Sequence, residues 1–96
     1  MRSYRVRFTP EASRLIAKLP PEVKKLIRLA VDELRKEPHQ GSELSGEFAE
    51  FRSFKQRRYR IIYRVSEEES FLEIYHAGHR RDVYETLRAL LQSLVR

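Results

Sequence analysis

Residues 57–87 read RRYRIIYRVSEEESFLEIYHAGHRRDVYETL, and the fold turns on how that stretch divides. Over 58–66, Tyr59, Ile61, Tyr63 and Val65 alternate with Arg58, Arg60, Ile62 and Arg64. A period of two marks a strand with one buried face. SEEES at 66–70 reads as a hairpin turn, and SFLEIYHA at 70–77 as a second strand, broken by Gly78. Asp82 followed by Glu85 has the spacing of a helix-starting capping box. The helix that follows carries Val83, Leu87, Leu90, Leu91, Leu94 and Val95 on one face.

Working outward, a less regular strand is expected at 48–55, after a loop marked by Pro38, Gly41 and Gly46. Before the loop lie two amphipathic helices. In TPEASRLIAKL (9–19), Thr9 suits an N-cap and Pro10 the first turn. Pro20 and Pro21 end that helix and start the next, in which Val23, Leu26, Ile27, Ala30, Val31 and Leu34 repeat at helical spacing. YRVRF (4–8) is an N-terminal strand. The order β-α-α-β-β-β-α gives an α+β domain spanning 1–96. Its expected core is an antiparallel sheet of about four strands, with the helical hairpin on one face and a C-terminal helix. If Tyr4, Val6, Phe8, Ile61, Tyr63 and Val65 face the hairpin, Arg5, Arg7, Arg60 and Arg64 point the other way, onto an open basic face.

Composition narrows the class. The 96 residues have a net charge of +6, and fifteen of the twenty cationic side chains are arginine. Arginine grips phosphate with two hydrogen bonds and stacks on bases, so a polyanion partner is expected, most often nucleic acid. With no cysteine, neither disulfides nor thiolate chemistry is available. There is no apolar run long enough for a membrane span and no secretory h-region, so the chain is read as cytoplasmic with no membrane partner.

Most site chemistries fail on the residues present. Metal and Gly-rich phosphate motifs are missing, as is a nucleophile elbow. His76 and His79 lack neighbouring ligands, so no metal and no cofactor is expected. RSFKQRRYRIIYR (52–64) and GHRRDVY (78–84) remain. RNA cleavage needs no protein nucleophile, because the ribose 2′-OH can attack its own phosphate. The protein must align it, stabilise charge on the phosphorane and handle two protons. Arginines suit the second task and a tyrosine can stack on a base. A plain binding surface is an equal reading of the same residues. Taken singly, Tyr63 reads as core, Arg60 as a solvated strand residue, and Tyr84 as packing against the sheet.

LPPEVKKLIRLAVDEL (19–34), RYRIIYRV (58–65) and above all GHRRDVY resemble the RelE/ParE toxin superfamily of type II toxin–antitoxin systems, over nearly the whole chain. The resemblance implies a RelE-like fold with a basic groove opposite the hairpin. RelE-like members are messenger-RNA endonucleases acting in the ribosomal A site, without metal, through the substrate 2′-OH. ParE-like members poison DNA gyrase. By resemblance the functional arginines are Arg60 and Arg80, with Tyr84 near the start of the final helix, and this favours the RelE-like branch. The family's paired lysines are not matched: Ser53 falls where one would stand. Lys55 and Arg52 are the nearest candidates for proton handling, and His79 is a further one. Arg57, Arg58, Arg64 and Arg81 are expected to bind RNA. The implied function is a ribosome-dependent mRNA interferase that inhibits translation; a gyrase inhibitor or an inactive toxin-like binding module are the alternatives. Implied partners are the ribosome, mRNA and a cognate antitoxin whose acidic amphipathic segment covers the basic face.

Overall fold

Local signals place the helices. The Thr9 side chain accepts the Ala12 amide at 3.1 Å, and Pro10 occupies the first helical turn. Pro20 stands at the N-cap of the second helix and Pro21 begins it. The computed structural model describes residues 3–94. In chain order its elements are β1 (Arg5–Phe8), α1 (Pro10–Ala17), α2 (Pro21–Lys36), β2 (Ser42–Glu43), β3 (Arg52–Gln56), β4 (Tyr59–Ser66), β5 (Phe71–His79) and α3 (Val83–Leu94). Single 3-10 turns lie at Gly46–Phe48 and Arg80–Asp82.

The α+β class holds, but the sheet has five strands in the order β1-β5-β4-β3-β2, and it is mixed. β1 runs parallel to β5, with Val6 opposite Leu72 and Phe8 opposite Ile74. The expected wholly antiparallel sheet is therefore corrected, as is its strand count. Short turns dictate antiparallel pairing only between consecutive strands; β1 reaches β5 across the whole hairpin, with no local signal. The strand expected at 48–55 becomes a 3-10 turn followed by β3, and two-residue β2 forms the edge.

Hydrophobic alternation then builds two unequal cores. On one face Ile61, Tyr63, Leu72, Ile74 and Ala77 pack against Ala12, Val23, Ile27, Ala30, Val31 and Leu34 of the hairpin. On the other, Phe51 and Ile62 pack beneath Val83 and Leu87 of α3. The second face is thus partly roofed, not wholly open. Val95 lies outside the described residues, as do the side chains of Leu91 and Leu94.

Two features at the end of β5 differ from expectation. Gly78 does not end the strand, which continues to His79. A 3-10 turn precedes the expected helix start, and His79 caps it: its side chain accepts the Arg81 amide at the beginning of the turn that leads into α3. Farther along, Ile62 pairs with His76 but Tyr63 pairs with Ile74, so Tyr75 is an extra residue in a β-bulge.

The loop after α2 is fixed from the sheet. The Tyr63 hydroxyl donates to the Pro38 carbonyl at 2.7 Å and accepts the Gly41 amide at 3.0 Å. A Cβ on Gly41 would stand 2.5 Å from that hydroxyl, so the close approach requires glycine. His39 Nε2 meets Glu67 at 2.7 Å and ties the loop to the β4–β5 turn. No helix among the described residues is long and apolar enough to cross a membrane.

Candidate functional site

Strand register sets the site. Lys55 stands opposite Arg60, and Arg60 opposite Gly78, in one row across β3, β4 and β5. Residues directly opposite have Cα atoms about 5 Å apart and share a face. Tyr59 and Ile61 belong to the hairpin-side core, so Arg60 between them takes the other face. Arg60 is half-buried, and its Nη1 donates to Ser53 Oγ at a long 3.4 Å. Its Nε is buried without a partner.

The cations converge at this end of the sheet. Arg57 and Arg58 form the β3–β4 turn, with Arg57 in the left-handed region at φ 57°. The Arg80 amide donates to the Arg58 carbonyl at 2.8 Å and ties the end of β5 to that turn. Arg80 and Arg81 are exposed on the 3-10 turn, and Tyr84 is 75% exposed at the start of α3. The reading of Tyr84 as a residue packed on the sheet is set aside. Among the described residues, Lys55, Arg57, Arg58, Arg60, Arg80 and Arg81 form no ion pair with a carboxylate. A cluster of unpaired cations is an attractive field for phosphate.

Three expected site residues are placed elsewhere. Arg52 is opposite Tyr63, on the hairpin face. Its Nη1 donates to the carbonyls of Gly41 at 2.7 Å and His39 at 3.2 Å, and Nη2 lies 3.8 Å from Glu43. It braces the loop after α2. Arg64 shares Arg60's face but lies roughly 13 Å along the strand. It pairs with Glu73 at 3.1 Å and Glu50 at 3.4 Å. Arg7 also reaches Glu73, at 3.4 Å, so that end of the expected basic face is neutralised. The Tyr75 hydroxyl donates to the same carboxylate at 2.5 Å; burial first, then this bond, pushes its pKa up to about 12. His79 is opposite Tyr59 and packs edge-on against its ring, at the hairpin side. Because Nδ1 accepts the Arg81 amide at 3.2 Å, the neutral ring carries its proton on Nε2.

Sequence reading weighed His76 only as a metal ligand paired with His79, and the two rings lie on opposite faces. His76 is fully buried beneath α3, with Nδ1 2.8 Å from Thr86 Oγ1. Burial lowers its pKa below the ordinary histidine value, against an opposing pull from Asp82. The signal for it was a histidine at a position that alternation from Leu72 and Ile74 makes a core site.

Comparison with known proteins agrees with this architecture. The family model described as the ParE toxin of the type II toxin–antitoxin system, parDE, matches residues 6–84. Toxin RelG of Mycobacterium tuberculosis is 36% identical over 83 residues, covering 84% of this chain and 95% of that protein. The crystal structure of the toxin–antitoxin complex RelBE2 from Mycobacterium tuberculosis aligns with a TM-score of 0.75 at 35% identity, over 81% of this chain and 99% of that one. A free-state mutant of E. coli toxin RelE, at 18% identity, shares the fold with a TM-score of 0.78 over 95% of this chain and 97% of its own. The chain belongs to the RelE/ParE toxin superfamily of type II toxin–antitoxin systems.

Proposed function

We propose that this toxin is a ribosome-dependent mRNA endonuclease that cuts in the A site, using the substrate 2′-OH as nucleophile and no metal. The observation that carries the reading is the Lys55–Arg60–Gly78 row, beside an unpaired group of arginines and an exposed tyrosine. In the reaction the 2′-oxygen loses its proton and bonds to phosphorus. The bond from phosphorus to the 5′-oxygen breaks, and that oxygen takes up a proton. The products are a 2′,3′-cyclic phosphate and a 5′-hydroxyl. Arg60 and Arg80 stabilise the charge that appears on the phosphorane; one such donor is worth roughly 10²–10³-fold in rate. Tyr84 presents an exposed ring for stacking. Of the candidates for proton handling at the 2′-oxygen, Lys55 is the one beside Arg60. Arg57, Arg58 and Arg81 contact phosphates around the row.

The cognate antitoxin is proposed to carry an acidic amphipathic segment. The cations of the row and the turn beside it, Lys55, Arg57, Arg58, Arg60, Arg80 and Arg81, have no carboxylate partner among the described residues, which supports an acidic segment that covers this face. Gyrase inhibition is the second reading, favoured by the match to the ParE family model. Expression without antitoxin separates the two. Rapid loss of translation with cut messages supports the endonuclease. DNA damage and filamentation with intact messages support gyrase.

A further inference from the structure

His76 is fully enclosed, yet one ring nitrogen has no partner. Strict alternation along β5 would put it in the hairpin-side core with Leu72 and Ile74. The bulge at Tyr75 re-aims it to pair with Ile62, under α3. There Nδ1 and Thr86 Oγ1, 2.8 Å apart, share one hydrogen, while Nε2 is unsatisfied. Nε2 and Cε1 both lie 3.5 Å from the point a Gly78 Cβ would occupy. Gly78 is the cross-strand partner of Arg60, whose Nε is likewise buried and unpartnered.

An apolar side chain opposite Ile62 would dock α3 without this cost. Leaving a buried polar atom unpaired costs about 1–3 kcal/mol, so its presence calls for a cause. Bulges recur beside functional sites, where they turn one side chain to a new face.

We propose that His76 is a positioning residue that ties the docking of α3, through Thr86, to the floor beneath Arg60 and Gly78. Tyr84 precedes Thr86 in the same helical turn, so this tie also fixes where its ring stands relative to Arg60. The catalytic consequence rests on the proposed cleavage reaction; the coupling itself belongs to the free protein.

The test uses the purified chain with His76→Leu, His76→Asn and Thr86→Val. The Asn amide reproduces the hydrogen bond at Nδ1 and Leu does not. Amide exchange in α3 and the Arg60 Nε–H resonance are read by NMR, and single-turnover cleavage on mRNA-programmed ribosomes is read alongside. In His76→Leu and Thr86→Val the sheet should keep its protection. The α3 amides should exchange at least tenfold faster, the Arg60 signal should move, and cleavage should fall at least tenfold at unchanged ribosome binding. His76→Asn should restore all three. Unchanged α3 exchange and an unmoved Arg60 signal in both variants would overturn the proposal. So would His76→Asn behaving like His76→Leu, which would assign the role to packing alone. If His76→Leu does not fold, half-buried Thr86→Val decides the matter. A wild-type chain that cuts no message but shows the exchange coupling supports the tie and discards the cleavage reading.

Discussion

Arg52 and Arg60 lie on neighbouring strands but on opposite faces of the sheet. One holds the loop after α2 through two backbone carbonyls; the other sits unpaired in the cationic row. Their substitutions should separate stability from chemistry. Arg52→Ala should lower unfolding free energy by about 1–3 kcal/mol, because the part-buried Gly41 carbonyl and the exposed His39 carbonyl lose a charged donor. Its folded fraction should cleave normally. Arg60→Ala should leave the denaturation midpoint nearly unchanged and slow single-turnover cleavage. Denaturant titration and ribosome assays on both proteins check this. An Arg52→Ala defect confined to rate would return Arg52 to the site.

The Tyr63 hydroxyl gives a second stability test. Tyr63→Phe leaves the Pro38 carbonyl and the Gly41 amide without their partner in a buried place. The expected loss is about 1–3 kcal/mol. Gly41→Ala should cost a similar amount or more, because its Cβ meets the Tyr63 hydroxyl and ring. The double variant should cost less than the sum, since the two act on one contact. Additive losses would separate them.

Much of this was legible because periodicity and capping are local. Alternation gave β4 and the face of Tyr63, and Thr9 and Pro21 mark helix starts that the fold keeps. The parallel contact of β1 with β5 and the bulge at Tyr75 were not legible, since both depend on pairing between distant segments. Arg52 is a different case. It is an odd number of residues from Lys55, so on any regular strand the two face opposite ways. That parity was in the sequence, and resemblance to a lysine pair obscured it. Glu50 and Glu73 neutralise Arg64 through cross-strand neighbours that no local pattern reveals.

His76 should shape stability on the acid side. Its folded pKa lies below the unfolded value of about 6.5, chiefly through burial. Asp82 from the turn favours its protonation, but less than burial disfavours it. Above about pH 6.5 the ring is neutral folded or unfolded, and this stability is fully present. As pH falls the unfolded ring binds its proton first, so stability is lost toward the lower folded pKa. The unfolding free energy of wild type relative to His76→Asn, measured from pH 8 to 5, should fall along that limb. A pH-independent difference would contradict the burial argument.

Arg57 combines a left-handed backbone with an exposed cation. Glycine there removes the Cβ strain, so Arg57→Gly should match or raise stability by up to about 1 kcal/mol. On the proposed function the same change also removes a phosphate contact. Ribosome affinity should then fall less steeply with salt, because fewer counterions are released on binding. Arg58→Ala should reduce the salt slope without the stabilisation. Affinity measured against salt concentration for both variants reads the slopes, and slopes equal to wild type would remove the turn from the binding surface.

The chemistry is tested at the substrate. If Arg80 and Arg60 stabilise charge that appears only on the phosphorane, each alanine variant should lose roughly 10²–10³-fold in single-turnover rate with little change in binding. Tyr84→Phe should be milder than Tyr84→Ala if the exposed ring acts by stacking, and equally harmful if its hydroxyl moves a proton. Lys55→Ala should slow the step in proportion to its part in handling the 2′-proton, and Lys55→Arg should restore the electrostatic share alone. A 2′-deoxy nucleotide at the cleaved position removes the nucleophile while keeping every phosphate contact. Binding should persist and cutting should stop there. Continued cleavage at that nucleotide would require another nucleophile and overturn the proposed reaction, whatever the arginine variants show.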